Sequence, residues 1–229
     1  MVLGQGGFLE LAAVLYHDEL VVSLANILLE APEPDVVIDP MTWFPSPGAF
    51  ELEIGCGKGG FLLSRARAQP HIRLLGIELK KKVVEYCADR ISRWQIENAR
   101  VTRVDARVFV MRNLPPGCLS LLHMYHPDPW PKKRHHKRRL VQPDFVEAAV
   151  NVLIPGGRWM VQSDHDEYFQ HMVAVLGAHR QLRPIPWEMA EADPGPDWKG
   201  TNFEVKFSKR GHPILRAAYQ RLPRPVTEG

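Results

Sequence analysis

The chain has 229 residues, of which 45% are hydrophobic and 24% are charged. This composition excludes fibrous and wholly disordered proteins, and the length predicts one globular domain with a small appendage. No stretch approaches the roughly 18 apolar residues that a membrane-spanning helix needs, and the first residues lack the basic start of a signal peptide. Cys56, Cys87 and Cys118 are too few and too far apart for a disulfide framework. We therefore expect a cytoplasmic protein without a membrane partner.

The net charge of +3 is unevenly distributed along the chain. Residues 1–57 contain nine acidic residues and no lysine or arginine. Residues 132–139 contain six lysines or arginines, two histidines and no acid, and without this run the chain would carry a net charge of −3. The basic charge is therefore local, which favours an anionic partner that binds at one place.

The first 48 residues predict an acidic, apolar extension that precedes the main domain. Residues 8–30 are rich in Leu, Val and Ala and predict one or two helices. Residues 31–47 contain five prolines, which block helix and predict an extended connector. We expect the main domain to occupy residues 49–229.

Strand-like and helix-like segments alternate from residue 50 onward. The predicted strands are 50–54, 72–78, 101–105, 118–125 and 159–163, followed by two late candidates at 182–188 and 203–207. The predicted helices are 61–68, 80–97, 106–112, 143–154 and 168–176. This alternation predicts an α/β fold in which a mostly parallel, seven-stranded sheet carries helices on both faces.

Five carboxylates follow the predicted strands in turn. They are Glu53, Glu78, Asp105, Asp128 and Asp164. Ligands of such sheets bind at the carboxyl ends of the strands, near the point where the strand order reverses. Five acids at this edge are more than surface charge alone predicts, so we expect a ligand site there.

The segment Gly55-Cys56-Gly57-Lys58-Gly59-Gly60 satisfies two binding patterns. It matches the dinucleotide fingerprint G-x-G-x-x-G, with Glu78 at the spacing of the ribose-binding acid. With Glu53 it also matches the loop with which class I methyltransferases bind S-adenosylmethionine. An acid at Glu53 repels a pyrophosphate but suits the ammonium and sulfonium groups of S-adenosylmethionine, and Asp105 suits an adenine amino group. A tight strand–helix turn without a ligand is the structural alternative.

The turn His126-Pro127-Asp128-Pro129-Trp130-Pro131 leads directly into the basic run. Three prolines restrict the backbone, so Asp128 is held in place rather than mobile. Trp130 offers a flat face to a nucleobase or to a neighbouring helix. The lysines and arginines that follow either form a solvated face or neutralise phosphates, and their place beside this turn favours phosphates.

Four segments resemble the bacterial tRNA (guanine-N7-)-methyltransferase family. They are Asp128 to Arg139 with the sequence DPWPKKRHHKRR, Glu53 to Gly59, Thr201 to Phe207, and Leu153 to Gly157 followed by Ser163-Asp164. The resemblance covers about residues 49–220. It implies a Rossmann-like class I fold and a methyl transfer from S-adenosylmethionine to N7 of a guanine in the tRNA variable loop, which forms 7-methylguanosine.

The resemblance also implies roles for individual residues. The cofactor would be bound by Glu53, Gly55, Gly57, Glu78, Asp105, Ala106 and Asp128, of which Asp128 would be the catalytic carboxylate. The target guanosine would be contacted by Lys132, Asp164, Thr201, Asn202, Phe203 and Glu204. The tRNA would be contacted by Arg134, His135, His136, Lys137, Arg138 and Arg139.

Two departures from the family pattern keep other hypotheses open. Family members carry a basic segment before the first strand, whereas residues 1–57 here have a net charge of −9, and His126 replaces an aromatic or small residue. The alternatives are an NAD-dependent oxidoreductase and a non-catalytic RNA-binding partner with a relic cofactor pocket. The histidines near residues 123–136 lack convincing metal-ligand spacing, so we expect no metal. We expect tRNA as the partner of a monomer or homodimer.

Overall fold

The computed structural model of the chain describes residues 23–196, 198, 200 and 213–223. The strands are β1 Leu28–Leu29, β2 Ala49–Ile54, β3 Ile72–Ile77, β4 Ala99–Thr102, β5 Leu119–Tyr125, β6 Leu153–Ser163, β7 Leu182–Ile185 and β8 Leu215–Arg221. The α-helices are α1 Leu24–Ile27, α2 Gly60–Ala68, α3 Lys81–Arg93, α4 Ala106–Val108, α5 Pro143–Val152 and α6 Asp166–Gly177. Three 3₁₀ helices cover Pro40–Trp43, Lys133–Arg138 and Trp187–Ala190, and a π-helical turn covers Phe109–Asn113.

The strands form one sheet in the order β1-β4-β3-β2-β5-β6-β8-β7. All neighbours pair in parallel except β8, which is antiparallel to both β6 and β7. The order reverses between β2 and β5, so the carboxyl ends of these two strands flank the crevice in which ligands of such sheets bind. The predicted α/β fold with a mostly parallel sheet is confirmed.

The predicted count of seven strands is wrong, because the described residues contribute eight. The additional strand β1 has two residues, which pair with Val101 and Thr102 at the edge of the sheet. It lies within the segment 8–30 that we expected to be helical, of which only Leu24–Ile27 is helix among the described residues. The predicted strand 203–207 lies outside the described residues, and β8 was not predicted.

Apolar residues are buried on both faces of the sheet. One face packs against α5 and α6 through residues such as Leu52, Leu122 and Phe145. The other face packs against α2 and α3 through residues such as Leu62 and Leu74. Along β2, Phe50, Leu52 and Ile54 belong to the first cluster, so the alternate residues Glu51 and Glu53 face the side of α2.

The proline-rich connector crosses the amino ends of β3 and β4. Arg73 in β3 donates hydrogen bonds to the carbonyl oxygens of Ser46, at 2.6 Å, and Pro47, at 3.0 Å. Arg100 in β4 donates to the carbonyl oxygen of Trp43 at 3.0 Å. The connector therefore covers the amino edge of the sheet. The loops that carry the predicted site lie at the opposite, carboxyl edge. No helix among the described residues is long and apolar enough to cross a membrane.

Candidate functional site

The glycine loop between β2 and α2 has the backbone that only glycine adopts readily. Gly55, Gly57 and Gly59 have φ angles of 75°, 54° and 74°. A Cβ atom on Gly55 would meet nothing within 4 Å, and one on Gly57 would meet only the carbonyl oxygen of Gly55 at 3.9 Å. A Cβ on Gly59 would instead collide with Cys87. The first two glycines thus leave space above the loop for a ligand, whereas the third lets α2 and α3 pack closely.

Glu53 lies at the end of β2 directly before this loop and is 4% exposed. The backbone N–H of Leu62 donates a hydrogen bond to its carboxyl group, but its Oε2 atom has no hydrogen-bond partner among the described residues. The pKa of Glu53 is raised to about 8, mainly by burial and to a smaller extent by the negative charge of Glu78. A buried carboxyl group with an unpaired oxygen is complementary to a cationic group of a ligand.

Glu78 and Asp105 continue the carboxyl edge after β3 and β4. Glu78 is half-buried and accepts a hydrogen bond from the backbone N–H of Lys80 at 3.0 Å. Asp105 is exposed and caps α4, since its Oδ1 accepts from the backbone N–H groups of Arg107 and Val108 at 2.8 and 3.2 Å. Ala106 begins that helix. With Glu53 and the glycines, these residues fit an S-adenosylmethionine whose ammonium, ribose and adenine follow β2, β3 and β4.

The turn after β5 is held to the end of β6 by a chain of hydrogen bonds. The backbone N–H of His126 donates to the carbonyl oxygen of Gln162 at 2.8 Å. The His126 ring bonds Asp164 through Nδ1 at 3.0 Å and Gln162 through Nε2 at 2.8 Å. Arg216 of β8 donates to Oε1 of Gln162 at 2.9 Å. The chain of bonds fixes Asp164 beside the turn that carries the exposed Asp128.

Most of the predicted RNA-contacting residues lie on a short 3₁₀ helix at the surface. Lys132, Lys133, Arg134, Lys137 and Arg138 are exposed, and His135 and His136 are half-buried. The indole of Trp130 packs beneath this segment, with the Arg138 guanidinium 5.0 Å from its centre. We call Lys132, Lys133, Arg134, Lys137 and Arg138 together the basic surface.

Arg139 differs from its neighbours in the basic run. Its side chain is 1% exposed. Its guanidinium donates to the carbonyl oxygen of Pro129 at 2.9 Å and forms a two-point ion pair with Glu167 of α6 at 3.1 and 3.0 Å. These hydrogen bonds lower the pKa of Glu167 below its ordinary value. The structure thus separates Arg139 from the basic surface and makes it the anchor between the Asp-Pro-Trp-Pro turn and α6.

The predicted guanosine-contacting residues divide into two groups. Lys132 is exposed and directly precedes the 3₁₀ helix, and Asp164 lies near the same turn through its bond to His126. Thr201, Asn202, Phe203 and Glu204 lie outside the described residues. No group of three or more His, Cys, Asp or Glu side chains within the described ranges could hold a metal ion.

A buried polar network beside Glu53 was not predicted from the sequence. Glu51 accepts hydrogen bonds from Arg65 at 2.7 and 3.1 Å and bonds His123 Nε2 at 2.9 Å. His123 Nδ1 in turn bonds the hydroxyl of Tyr125 at 2.9 Å. Burial alone would raise the pKa of Glu51, but the hydrogen bonds and charges of His123 and Arg65 outweigh it and lower the pKa to about 2. The alternation of acidic and apolar residues along β2 was the signal available for this network.

The chain is similar in sequence to known methyltransferases. The sequence model of a family described as "Putative methyltransferase" matches residues 48–217. The tRNA (guanine-N(7)-)-methyltransferase of Alkalilimnicola ehrlichii is 35% identical to this chain over 76% of its length and 73% of the relative's. That of Bordetella pertussis is 36% identical over 83% of this chain and 73% of the relative.

Solved structures support the fold. A SAM-dependent O-methyltransferase from Thermotoga maritima has a TM-score of 0.51 at 14% identity and covers 78% of this chain and 61% of that one. An rRNA methylase from Streptococcus thermophilus has a TM-score of 0.50 at 13% identity and covers 77% and 88%. The predicted class I methyltransferase fold is confirmed, and the chain belongs to the tRNA (guanine-N7-)-methyltransferase family.

Proposed function

We propose that the chain transfers a methyl group from S-adenosylmethionine to N7 of a guanine in the variable loop of tRNA. One juxtaposition carries the proposal. The buried carboxyl group of Glu53, whose Oε2 atom is unpaired among the described residues, and the open glycine loop lie at the same edge of the sheet as the turn that bears Asp128 and the basic surface. A cationic cofactor and an RNA thus have binding groups side by side.

The chain's own residues account for binding of the cofactor. Glu53 accepts hydrogen bonds from the ammonium group, and the open space at Gly55 and Gly57 lets the ligand approach the backbone. Glu78 accepts hydrogen bonds from the ribose hydroxyls, and Asp105 and Ala106 contact the adenine. When bound, S-adenosylmethionine supplies a methyl group on a good leaving group, and the electron pair of the broken bond goes to sulfur.

Methyl transfer to N7 does not require removal of a proton from the base. Guanine N7 carries a lone pair and no proton, so no strong base is required. The protein has to align the base and exclude water, and alignment of two reactants lowers a barrier by about 7–11 kcal/mol. Asp128 steadies the positive charge that the base acquires. Asp164, oriented by His126, and Glu204 accept from guanine N1–H and the amino group, which favours guanine over adenine.

The basic surface supplies the contacts to tRNA phosphates. Its lysines and arginines are exposed, and no acidic residue lies between them in the sequence. Arg139 is not among these contacts, because its guanidinium is bonded to Pro129 and to Glu167 of α6. The roles of Thr201, Asn202 and Phe203 as guanosine contacts belong to the same proposal.

Methyl incorporation into tRNA tests the function. Purified protein is mixed with labelled S-adenosylmethionine and tRNA from a strain that lacks 7-methylguanosine, and the label is mapped by cleavage at methylated guanines. We expect label on one guanine of the variable loop and a strong loss of turnover in Asp128→Asn. Intact cofactor binding with no label on tRNA would contradict the proposed substrate. A wild-type rate in Asp128→Asn would contradict only the role of Asp128.

A further inference from the structure

A pocket of about 370 Å³ lies on the α2 side of the sheet, between β5 and β6 and the segment that follows β7. Four aromatic side chains line it: Phe61, Tyr125, Trp187 and Trp198. We call it the aromatic pocket. It uses none of the residues assigned above to the cofactor, to the guanosine or to the basic surface. Gln162, which also lines it, belongs to the chain of hydrogen bonds around His126.

The four rings form a continuous chain of contacts. The centroids of Trp198 and Phe61 are 5.7 Å apart, those of Phe61 and Tyr125 4.8 Å, and those of Tyr125 and Trp187 6.3 Å. The two indoles therefore stand at the ends of the chain, and the smaller rings lie between them. Phe61 is buried and meets Trp198 and Tyr125 edge to face, at interplanar angles of 84° and 79°, so a planar ligand would stack on an indole at one end of the chain.

Acidic side chains dominate the polar part of the pocket. Glu188, Glu191 and Asp193 line it together with a single basic residue, Arg216. Glu191 is paired with Arg158 at 2.7 Å, and Asp193 accepts from the backbone N–H of Gly195 at 2.8 Å. Glu188 is exposed and makes no side-chain hydrogen bond or ion pair within the part of the chain that the structure describes. The pocket therefore favours a ligand that is positively charged or rich in hydrogen-bond donors.

The aromatic pocket is continuous with the proposed site of methyl transfer. Phe61 follows the glycine loop in the first turn of α2, and the next residue, Leu62, bonds the carboxyl group of Glu53. Tyr125 is the last residue of β5 and precedes the turn that carries Asp128. Gln162 lines the pocket and is bonded to His126, which holds Asp164. A base in the pocket thus lies next to both the cofactor side and the Asp164 side of the site.

We propose that the aromatic pocket receives the target base and binds it more tightly as 7-methylguanine than as guanine. This inference rests on the proposed function and adds its selectivity for charge. Transfer of the methyl group moves the positive charge from the sulfonium to the purine ring. A cation is attracted to the faces of indole rings, as the Arg216 guanidinium 5.6 Å from the centre of the Trp187 ring shows, and the carboxylate of Glu188 attracts the same positive charge. Contacts that strengthen as this charge develops accelerate the transfer.

Binding of free nucleosides tests the pocket without reference to turnover. The full chain is titrated calorimetrically with 7-methylguanosine, guanosine and adenosine at slightly acidic pH, where the methylated base keeps its N1 proton. We expect 7-methylguanosine to bind about tenfold more tightly than guanosine. Trp187→Ala should abolish this preference, Trp187→Phe should retain part of it, and Glu188→Gln should reduce it.

Matched controls and folding checks keep the result interpretable. Trp94→Ala removes a 45% exposed indole that lies outside the pocket beneath Arg90, and Glu97→Gln changes an exposed acid at the amino edge of the sheet. Both should leave the preference unchanged. Trp198→Phe provides a second pocket variant if Trp187→Ala has a reduced melting temperature, and it should weaken the preference.

The outcomes separate this inference from the proposed function. Equal binding of guanosine and 7-methylguanosine, or a preference that survives Trp187→Ala in a folded protein, would overturn the role of the pocket. If the wild-type chain methylates tRNA while the titrations show no preference, the inference alone fails. If it methylates no guanine in tRNA, the proposed function fails, and with it the assignment of the pocket to a target base.

Discussion

The protonation of Glu53 predicts that the cofactor binds with release of a proton. Burial raises the pKa of this carboxyl group from 4.5 to about 8, so the neutral form predominates at pH 7 in the unliganded protein. A cationic ammonium group binds the ionised form, and the apparent affinity is the intrinsic affinity multiplied by the ionised fraction. The affinity for S-adenosylmethionine should therefore rise with pH.

The size of the effect follows from the pKa. About 1% of Glu53 is ionised at pH 6 and about half at pH 8, which predicts a rise in affinity of about 50-fold between the two. Calorimetric titration with S-adenosylmethionine in two buffers that differ in ionisation enthalpy measures both the affinity and the protons released. Nearly one proton per binding event is expected at pH 6, and about half a proton at pH 8.

Substitution of Glu53 isolates its contribution. Glu53→Gln keeps the shape but cannot ionise, so it should bind the cofactor weakly with little dependence on pH. Glu97→Gln, at an exposed site, should retain the wild-type dependence. A wild-type affinity that is flat between pH 6 and pH 8, or a pH dependence that persists in Glu53→Gln, would refute the reasoning.

The same pKa has a consequence for the stability of the unliganded chain. Because the folded state raises the pKa of Glu53, the stabilising contribution of the neutral carboxyl group is fully present below pH 4.5 and is lost as the pH rises through about 8. The free energy of unfolding should fall by about 1.4 kcal/mol per pH unit within this window. Denaturant titrations of wild type and Glu53→Gln should converge in stability at low pH and diverge at high pH.

Two further perturbations test other parts of the structure. The logarithm of the tRNA affinity should fall with the logarithm of the salt concentration with a slope of about −3.5, from about −0.7 for each of five phosphate contacts by the basic surface. Arg139→Gln should leave this slope unchanged and lower the melting temperature. An affinity that does not change with salt would show that the basic surface does not contact the RNA. Arg65→Met should lower the free energy of unfolding by about 3–5 kcal/mol, because it leaves Glu51 buried with one partner fewer. A loss below about 1 kcal/mol in denaturant titration would show that Glu51 finds another partner.

The sheet and the position of the glycine loop beside Glu53 were predictable because their signals are local. A strand, a glycine loop and a helix follow one another between Phe50 and Ala68, and Glu53 stands at a fixed place within this pattern. The strand β8 lacks such a signal. Its sequence Leu-Arg-Ala-Ala-Tyr-Gln-Arg alternates poorly, and six of its seven residues favour helix. It becomes a strand because it pairs with both β6 and β7.

The role of Arg139 was not predictable because it depends on a distant partner. In sequence it is indistinguishable from Arg138, which is exposed. Its burial follows from Glu167, which lies 28 residues later on α6. The network around Glu51 is similar, since Arg65 and His123 approach it only after α2 and β5 have packed beside β2. Pairing of charges across elements is decided by tertiary packing, which a single sequence does not display.

Arg216, Gln162, His126 and Asp164 form a chain of hydrogen bonds in which the donor and acceptor of each bond are determined. An arginine can only donate, so Oε1 of Gln162 accepts and its amide nitrogen must face His126. Nε2 of His126 therefore carries no proton, and the proton on Nδ1 is donated to Asp164. The orientation of one side-chain amide in the wall of the aromatic pocket thus determines which ring nitrogen of His126 carries the proton that Asp164 accepts.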